Sequence, residues 1–324
     1  MHIVTGGAGL IGSAIVWGLN KLGIEDILLV DHLGTSEKWK NLRALKFSDY
    51  IEKDVFRKLI ADNKISPQTD AIIHMGACSS TTETDASYLM DNNFSYSKEL
   101  ALFSAQHNIK FIYASSAATY GDGSMGYSDD EASIEKLRPL NIYGYSKQIF
   151  DLWALRKGLF KKITGLKFFN VFGPNELHKK EMRSMVCRSF EQIMESSSIR
   201  LFKSANSDYA DGEQKRDFLY VKDAVGMVLF LLENQNSHGI FNIGSGKAET
   251  WNSLAEAAFS AMNIKSNIIY IDMPETLKGR YQNYTKAEMQ KLYSLGYNKP
   301  VSSLNEAVKD YILNYLAPEK NLGD

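Results

Sequence analysis

Short apolar runs alternate with longer amphipathic stretches through the first half of the chain. Each short run is rich in Ile, Val, Leu or Phe and ends after a few residues, which is typical of a buried strand. The predicted strands are 3–4, 27–30, 71–74, 109–113 and 165–169, and the predicted helices are 10–22, 85–106 and 143–159. Strands that alternate with helices indicate a parallel sheet covered on both faces.

The alternation ends at the segment NVFGP, residues 170–174. Beyond it the spacing is irregular, a polar loop covers 204–214, and strands are predicted again at 218–221 and 239–243. We therefore predict an α/β protein with a doubly wound parallel sheet of the Rossmann type. Residues 1–170 form the dinucleotide-binding domain, completed by about 217–247. Residues 171–216 and 248–324 form a smaller, partly discontinuous lobe.

A glycine-rich turn follows the first predicted strand. Gly6, Gly9 and Gly12 give the spacing G-x-x-G-x-x-G between a strand and an apolar helix. Without side chains there, a pyrophosphate can approach backbone N–H groups at the helix N-terminus. A glycine triplet by itself also marks plain turns, but a strand before it and a helix after it are the context that dinucleotide binding needs.

Asp31 ends the second strand, where a carboxylate binds the ribose hydroxyls of a dinucleotide. A carboxylate repels a 2′-phosphate, so Asp31 favours NAD. Lys38 and Lys53 would offset that preference if both ammonium groups reach the adenosine ribose. As solvated surface lysines they would not. The residues therefore leave NAD and NADP open.

The segment NIYGYSK at 141–147 contains two tyrosines and one lysine. Tyr143 and Lys147 are four residues apart and share a helical face, whereas Tyr145 points elsewhere. Ser116 follows the strand predicted at 109–113, and strand ends of such a sheet face the ligand crevice. A nearby ammonium favours phenolate, so Tyr143 is a candidate base and Lys147 a candidate contact of the nicotinamide ribose. The same spacing also occurs as a plain surface pair.

Composition and charge exclude several other classes. The formal net charge of -1 argues against a nucleic-acid binder. No apolar run reaches membrane-spanning length, and the N-terminus lacks a secretory pattern. Two cysteines, Cys78 and Cys187, are too few for a disulfide framework, which fits a reducing cytoplasm. The histidines show no metal-ligand spacing, so no metal is expected.

With these motifs the chain resembles the extended short-chain dehydrogenases/reductases. It more closely resembles the ADP-L-glycero-D-manno-heptose 6-epimerases, and the likeness runs nearly end to end. The segments that carry it are GACSSTTE at 76–83, MDNN at 90–93, YGYSK at 143–147, KRDF at 215–218 and KGRYQ at 278–282. The first and last are narrower markers than the glycine loop.

The resemblance implies epimerisation of ADP-D-glycero-β-D-manno-heptose at C-6, in nucleotide-heptose synthesis for the lipopolysaccharide core. Hydride transfer to bound NADP would form a transient 6-ketone, and hydride return to the opposite face would invert the centre. The family implies Tyr143 and Lys179 as two acid/base groups, with Ser116 bonding the reacting oxygen. To act as a base, Lys179 must be neutral, so desolvation or a nearby cation would have to lower its pKa. A cytoplasmic homopentamer is also implied.

The resemblance also implies which residues surround the two ligands. Those expected around the cofactor are Gly6, Gly9, Leu10, Ile11, Gly12, Asp31, His32, Lys38, Lys53, Met75, Gly76, Ala77, Cys78, Ser79, Asn92, Lys147, Val171 and Lys179. Those expected around the ADP-sugar are Asn170, Phe202, Arg216 and Tyr281. Arg216 suits a diphosphate because its planar fork donates to two oxygens. By sequence it could equally pair with Asp217, and the two aromatic residues could be core.

The chain departs from the family pattern near Lys179. Lys180 and Glu181 stand where Gly-Ser is usual, and Arg188 stands where histidine is common. Glu181 and Arg188 are therefore further candidates for substrate contact. His32 replaces a commoner asparagine.

Three other functions occur on the same fold. A sugar-nucleotide 4,6-dehydratase needs acidic residues after the strand serine, and Ala117-Ala118 cannot transfer protons there. A UDP-hexose 4-epimerase would use Tyr143 alone, which leaves Lys179 dispensable. A non-catalytic dinucleotide-sensing regulator on the same fold would lack the Tyr143–Lys147 pair.

Overall fold

A central sheet of seven strands organises the molecule in this computed structural model, which describes residues 1–66, 68–275 and 281–324. The strands of this sheet are β1 (His2–Thr5), β2 (Ile27–Asp31), β3 (Asp49–Glu52), β4 (Ala71–His74), β5 (Lys110–Ser116), β6 (Ile163–Phe168) and β11 (Gly239–Ile243). Their order is β11-β6-β5-β4-β1-β2-β3, and every neighbouring pair is parallel. The order reverses between β1 and β4, which is where doubly wound sheets bind their ligands.

Helices cover both faces of the sheet. The described α-helices are α1 (Leu10–Lys21), α2 (Lys53–Ala61), α3 (Ala86–Leu89), α4 (Tyr96–His107), α5 (Ile142–Arg156), α6 (Met185–Ser196), α7 (Val221–Glu233), α8 (Trp251–Ala261), α9 (Gln290–Ser294) and α10 (Leu304–Tyr311). A π-helical turn at Met90–Ser95 joins α3 to α4, and another at Ile312–Leu316 follows α10. None of the described helices combines the length and the apolar character that a bilayer span requires.

Successive strand residues enter different cores because side chains alternate across a strand. Ile3 on β1 and Ile72 on β4 pack on the face covered by α2, α4 and α5, with Phe56, Leu100 and Phe150. Val4 and Ile73 pack on the opposite face. That second core continues without a break into the C-terminal lobe, so the lobe and the sheet are joined by apolar packing. The predicted fold class is confirmed.

The other strands within the described residues form three small pairs. They are β7 (Asn170–Phe172) with β10 (Phe218–Tyr220), β8 (Ile199–Phe202) with β13 (Ile268–Ile271), and β9 (Lys215–Arg216) with β12 (Glu249–Thr250). The predicted break at 170–174 therefore begins as a strand, and the chain turns only at Gly173 and Pro174. The division into two domains stays a prediction.

Candidate active site

One crevice at the carboxyl ends of β1 and β4 collects most of the predicted cofactor residues. It has a volume of about 440 Å³. The predicted residues that line it are Gly6, Gly9, Leu10, Ile11, Gly12, Asp31, His32, Lys38, Lys53, Met75, Gly76, Ala77, Cys78, Ser79, Asn92, Tyr143, Lys147 and Lys179. The turn after β1, the end of β2, the loop after β4, the helix α5 and a distant loop at 173–184 therefore meet at one place.

The glycine turn has the shape that a dinucleotide pyrophosphate requires. A Cβ on Gly12 would lie 2.0 Å from the carbonyl oxygen of Gly6, so any side chain there would force the turn open. The helix α1 begins at Leu10, and its N-cap residue, Gly9, provides no side-chain cap. Its first-turn N–H groups are therefore available to an anion, and the helix dipole favours negative charge at that end. The turn fits the phosphate part of a dinucleotide.

The end of β2 carries a carboxylate with three donors around it. Asp31 accepts from the Ala8 amide at 2.8 Å, the His32 amide at 2.7 Å and the Lys38 ammonium at 2.5 Å. Lys53 begins α2 and donates to Asn92 at 3.0 Å. Both lysines therefore reach the end of the crevice where the sequence predicts the adenosine ribose, and Lys38 neutralises the Asp31 charge.

The loop after β4 is fastened to two helical elements by one buried amide. Asn93, inside the π-helical turn, accepts from the Cys78 amide at 2.8 Å and donates to the Cys78 carbonyl at 3.0 Å. The same side chain donates to Ser146 on α5 at 2.9 Å. Because Ser146 precedes Lys147, this contact fixes the distance between the loop and the helix that carries the lysine. The segments GACSSTTE and MDNN therefore meet around one asparagine.

The helix α5 starts where its sequence predicts. The Asn141 side chain accepts from the Gly144 amide at 2.8 Å and caps the first turn. A Cβ on Gly144 would lie 2.8 Å from the Ala118 carbonyl oxygen, so glycine is needed for this close approach to the end of β5. Tyr143 and Lys147 line the crevice, whereas 47% of Tyr145 is exposed to solvent.

Tyr143 and Ser116 meet at the end of β5. Burial raises the pKa of the Tyr143 phenol, and a hydrogen bond from Ser116 opposes that rise. Ser116 itself is buried and accepts from the Ala118 amide at 3.1 Å. Within the structure as it stands, the phenol is neutral. A ligand that brings positive charge, together with Lys147, would favour the phenolate.

Lys147 lies one helical turn after Tyr143 on α5 and lines the same crevice, with 4% of the residue exposed. Desolvation lowers its pKa to about 8, and the nearby Asp151 carboxylate opposes the fall. Lys147 is therefore a charged ammonium at neutral pH, and it loses its proton at a pH only slightly above neutral. A buried lysine with such a perturbed pKa, next to a tyrosine in a crevice, is typical of an acid/base site.

Lys179 enters the crevice from a loop between β7 and α6. It lies in a 3₁₀ turn, Leu177–Met182, in which Lys180 has a φ of 49°. The fully buried Glu176 carboxylate accepts from the Ser184 amide and the Ser184 hydroxyl, both at 2.6 Å, and so closes the loop. Desolvation lowers the pKa of Lys179, and Glu176 opposes the change.

His178 is a residue of the crevice that the sequence did not predict. Burial, with help from Lys38 and Lys179, lowers its pKa to about 4, so the imidazole is neutral. Its Nδ1 atom lies 3.2 Å from the Asn41 amide nitrogen. Tyr88, Tyr96 and Met182 also line the crevice. None of these residues has a spacing or a motif that would have marked it, because distant segments bring them together.

The predicted contacts of the sugar nucleotide lie outside this crevice. Arg216 on β9 is buried, with its guanidinium 4.8 Å from the Tyr281 ring centre and 5.6 Å from the Trp251 ring centre. It does not pair with Asp217, which accepts instead from Ser245, Gly246 and Ala287. Burial lowers the pKa of Arg216. Arg216 and Tyr281 therefore form one stacked cluster.

The other substrate candidates are more dispersed. Phe202 ends β8, and Asn170 begins β7. Arg188 donates to the Glu181 carboxylate at 2.9 Å, and 92% of the Glu181 side chain is exposed. Ser116 and Val171 are not among the residues that line the crevice. In the segment KGRYQ, residues 278–280 lie outside the described residues. The part of the chain that the structure describes contains no group of three or more potential metal-ligating side chains.

Comparison with known proteins decides the family. The model of the NAD dependent epimerase/dehydratase family matches residues 2–244. The chain belongs to this family. The epimerase is 53% identical over 317 residues to an ADP-L-glycero-D-manno-heptose-6-epimerase of Nitratidesulfovibrio vulgaris, covering 98% of both chains. It is 51% identical to a protein of the same name from Fusobacterium nucleatum, covering 98% of this chain and 99% of the relative.

A solved structure agrees with these relatives. The crystal structure of ADP-L-glycero-D-manno-heptose-6-epimerase from Helicobacter pylori superposes with a TM-score of 0.79 at 26% identity, over 97% of this chain and 95% of that chain. The predicted likeness and the prediction of an isomerase are confirmed. A cofactor of the nicotinamide adenine dinucleotide type is part of the family's definition, and the glycine turn and Asp31 fit it.

Proposed function

We propose that this epimerase converts ADP-D-glycero-β-D-manno-heptose to its L-glycero epimer at C-6. One observation carries the proposal: two relatives of that name match the chain at 51–53% identity over nearly its whole length. The crevice supports it, because Tyr143, Lys147 and Lys179 line the same space. A regulator that only senses dinucleotides would not need these groups.

The side chains divide the proton transfers between them. When bound, the nicotinamide supplies what no side chain can, namely a place for the hydride that leaves C-6 and later returns to it. Tyr143 accepts the proton of the sugar hydroxyl as that carbon is oxidised, and Ser116 donates a hydrogen bond to the oxygen. The buried Lys147 ammonium stabilises the phenolate form of Tyr143 that accepts this proton and becomes the neutral phenol. These roles leave a 6-keto sugar between the two halves of the reaction.

Inversion requires the oxygen to occupy two different positions. The carbon must present its opposite face in the second half-reaction, so the oxygen moves away from Tyr143. Lys179 approaches the crevice from the loop 173–184 rather than from α5. In its charged form it donates a proton to the oxygen in that second position, and in the reverse direction it accepts one. Burial, which lowers the pKa of Lys179, suits a group that must do both.

We infer that the cofactor is NADP. The carboxylate of Asp31 would repel a 2′-phosphate if it stood alone. Lys38 lies 2.5 Å from that carboxylate, and Lys53 lines the same end of the crevice. Lys38 offsets the Asp31 carboxylate, and Lys53 adds a second ammonium, 3.7 Å from the exposed Asp54 carboxylate, which favours an added phosphate over a bare hydroxyl.

Arg216 and Tyr281 are proposed to hold the ADP part of the substrate. A buried guanidinium between two aromatic rings is preorganised for a diphosphate or a flat base. We also propose that Asn170, Phe202, Glu181 and Arg188 contact the substrate. A cytoplasmic homopentamer that supplies heptose for the lipopolysaccharide core stays a prediction.

An NMR assay with isotopically labelled sugar tests the function. We expect ADP-D-glycero-β-D-manno-heptose to be epimerised without consumption of added NADPH. A substrate with deuterium at C-6 should keep its label in ordinary water, because hydride leaves and returns without exchange. Loss of the label would contradict the redox mechanism. Turnover of UDP-hexoses alone, with none of the ADP-heptose, would contradict the substrate.

A further inference from the structure

A fully buried carboxylate lies behind Lys147, outside the crevice. Asp151 is 0% exposed and accepts from the Tyr113 hydroxyl at 2.7 Å, the Ser115 hydroxyl at 2.7 Å and the Lys167 ammonium at 3.2 Å. Burying a carboxylate costs free energy unless it is hydrogen-bonded and paired. Three donors satisfy it here, so the site is built to hold a negative charge.

Asp151 is placed to act on the crevice through its helix. Tyr143, Lys147 and Asp151 follow one another at intervals of four residues on α5, so they share one face of the helix. Lys147 is thus flanked by the phenol on one side and the carboxylate on the other. Of these three side chains, the lysine is the one between them.

Titratable groups surround Lys147 on its own helix and on neighbouring segments. On α5 the neighbours are Tyr143 and Asp151, and the groups from other segments, His74 and Cys78, are neutral. His74 on β4 is completely buried, which lowers its pKa well below the usual value. Cys78, on the loop after β4, is half-buried, which raises the pKa of its thiol. Within this set, Asp151 is therefore the carboxylate, and it is ion-paired with Lys167 at 3.2 Å.

We propose that Asp151 is a positioning residue for the reaction: its buried carboxylate keeps Lys147 charged, one helical turn from Tyr143. The inference rests on the proposed function for the role of Tyr143, but the charge of Lys147 can be measured without any substrate. Desolvation works against the ammonium, and Asp151 offsets part of that cost across one turn of helix. Without it, Lys147 would lose its proton at a lower pH and would no longer favour the phenolate.

Lys167 weakens the effect of Asp151 on the pKa of Lys147. It also contacts the segment next to Ser116. Its ammonium lies 2.5 Å from the Thr119 hydroxyl, which donates to the Ser116 carbonyl at 2.8 Å. The same ammonium lies 4.8 Å from the Tyr120 ring centre. The Lys167 ammonium therefore partly screens the effect of the Asp151 charge on Lys147. It also connects α5 to the segment that follows Ser116. Removing Asp151 and removing Lys167 should change the charge at Lys147 in opposite directions.

Direct titration of Lys147 tests the proposal. The full-length protein is labelled at lysine Cε with ¹³C, the Lys147 signal is assigned by its loss in Lys147→Met, and its shift is followed from pH 6 to 11. In Asp151→Asn we expect the pKa of Lys147 to fall by about one pH unit. Asp223→Asn is the matched control, because Asp223 is a partly buried carboxylate that accepts from Ser302 elsewhere in the molecule. It should leave the titration unchanged. An unchanged pKa in Asp151→Asn would overturn the proposal.

Lys167→Met supplies the opposite sign. It leaves Asp151 with its Tyr113 and Ser115 donors, so the carboxylate stays satisfied and acts more strongly on Lys147. The pKa of Lys147 should then rise. A network with a purely structural role would give no change, or the same direction in both variants, and either result would overturn the proposal. If Asp151→Asn does not fold, the double variant Asp151→Asn/Lys167→Met, which removes both partners of the buried ion pair, is compared with Lys167→Met; an equal pKa of Lys147 in the two would overturn the proposal.

The rate of epimerisation gives a second readout. If Lys147 must be charged, the rate falls as pH rises through its pKa, and in Asp151→Asn this fall should begin about one pH unit lower. Asp151→Glu, which keeps the charge, should restore the profile toward that of the native protein. Should the native protein fail to turn over ADP-heptose, the proposed function fails, whereas the titration of Lys147 still tests the role of Asp151.

Discussion

Two of the four lysines that line the crevice, Lys147 and Lys179, lie on very different structural elements. Lys147 is held on α5, a capped helix of 15 residues, and is almost fully buried. Lys179 is held on a short 3₁₀ turn that contains a left-handed residue and is closed by Glu176. A helix packed on the sheet fixes its side chains closely, whereas a loop can vary in length and sequence. We infer that the helix half performs the chemistry shared by the family, and that the loop half adapts it to one sugar.

Removing the phenol should have the largest effect on this comparison. In Tyr143→Phe the hydroxyl has no acceptor for its proton, and we expect turnover to fall by about 10³-fold with the cofactor still bound. Tyr145→Phe is the matched control, because that tyrosine faces solvent two residues away. NMR rates for both variants check the prediction. Normal turnover in Tyr143→Phe would remove Tyr143 from its role.

Removing the loop lysine comes next in size. Lys179→Met should lower turnover by about 10²-fold or more, because one of the two oxygen positions then lacks a proton donor. The neighbouring Lys180 is exposed and offers a control of the same chemistry in Lys180→Met. An unchanged rate in Lys179→Met would mean that Tyr143 serves both positions. The loop at 173–184 would then supply no group for proton transfer.

The smallest expected effect is on the free energy of unfolding. Its dependence on pH distinguishes Lys147 from an exposed lysine. The pKa of Lys147 is lowered to about 8 in the folded chain, and lysine in an unfolded chain titrates near 10.4. Between these values the unfolded chain binds more protons, so stability rises with pH. Below pH 8 both states are protonated and the slope vanishes.

Urea unfolding of the native protein and of Lys147→Met isolates this contribution. Their difference in unfolding free energy should change in favour of the native protein by about 1 kcal/mol per pH unit between pH 8 and 10. Other titrating groups affect both proteins alike and cancel. A difference that does not change with pH would show that Lys147 titrates like an exposed lysine.

The sequence predicted the fully buried strands better than the partly exposed ones. The apolar runs at 71–74 and 239–243 coincide with β4 in the middle of the sheet and β11 at one edge, because both strands are fully buried and mostly apolar. The strand β3 was missed, since its sequence DYIE is half polar at the edge of the sheet. The sequence pattern predicts a break at β7 because Gly173 and Pro174 follow it directly. Tertiary pairing with β10 decides that segment, and a local pattern cannot show it.

The site divides in the same way. The Tyr143–Lys147 pair could be predicted because both residues lie on one helix at a fixed spacing. His178 and Asp151 could not be assigned a role, since their importance depends on contacts with β5, β6 and distant loops. The placement of Lys179 in the same crevice agrees with its prediction from the resemblance, whereas its role stays a prediction.

The last strand of the central sheet has a consequence for how the chain folds during synthesis. β11 comes from residues 239–243 and pairs with β6, which ends at residue 168. Until the ribosome has released about three quarters of the chain, β6 is an open edge with unpaired backbone groups and an uncovered apolar face. The nascent chain should therefore depend on chaperones during this interval, and its ability to bind cofactor should appear late in translation.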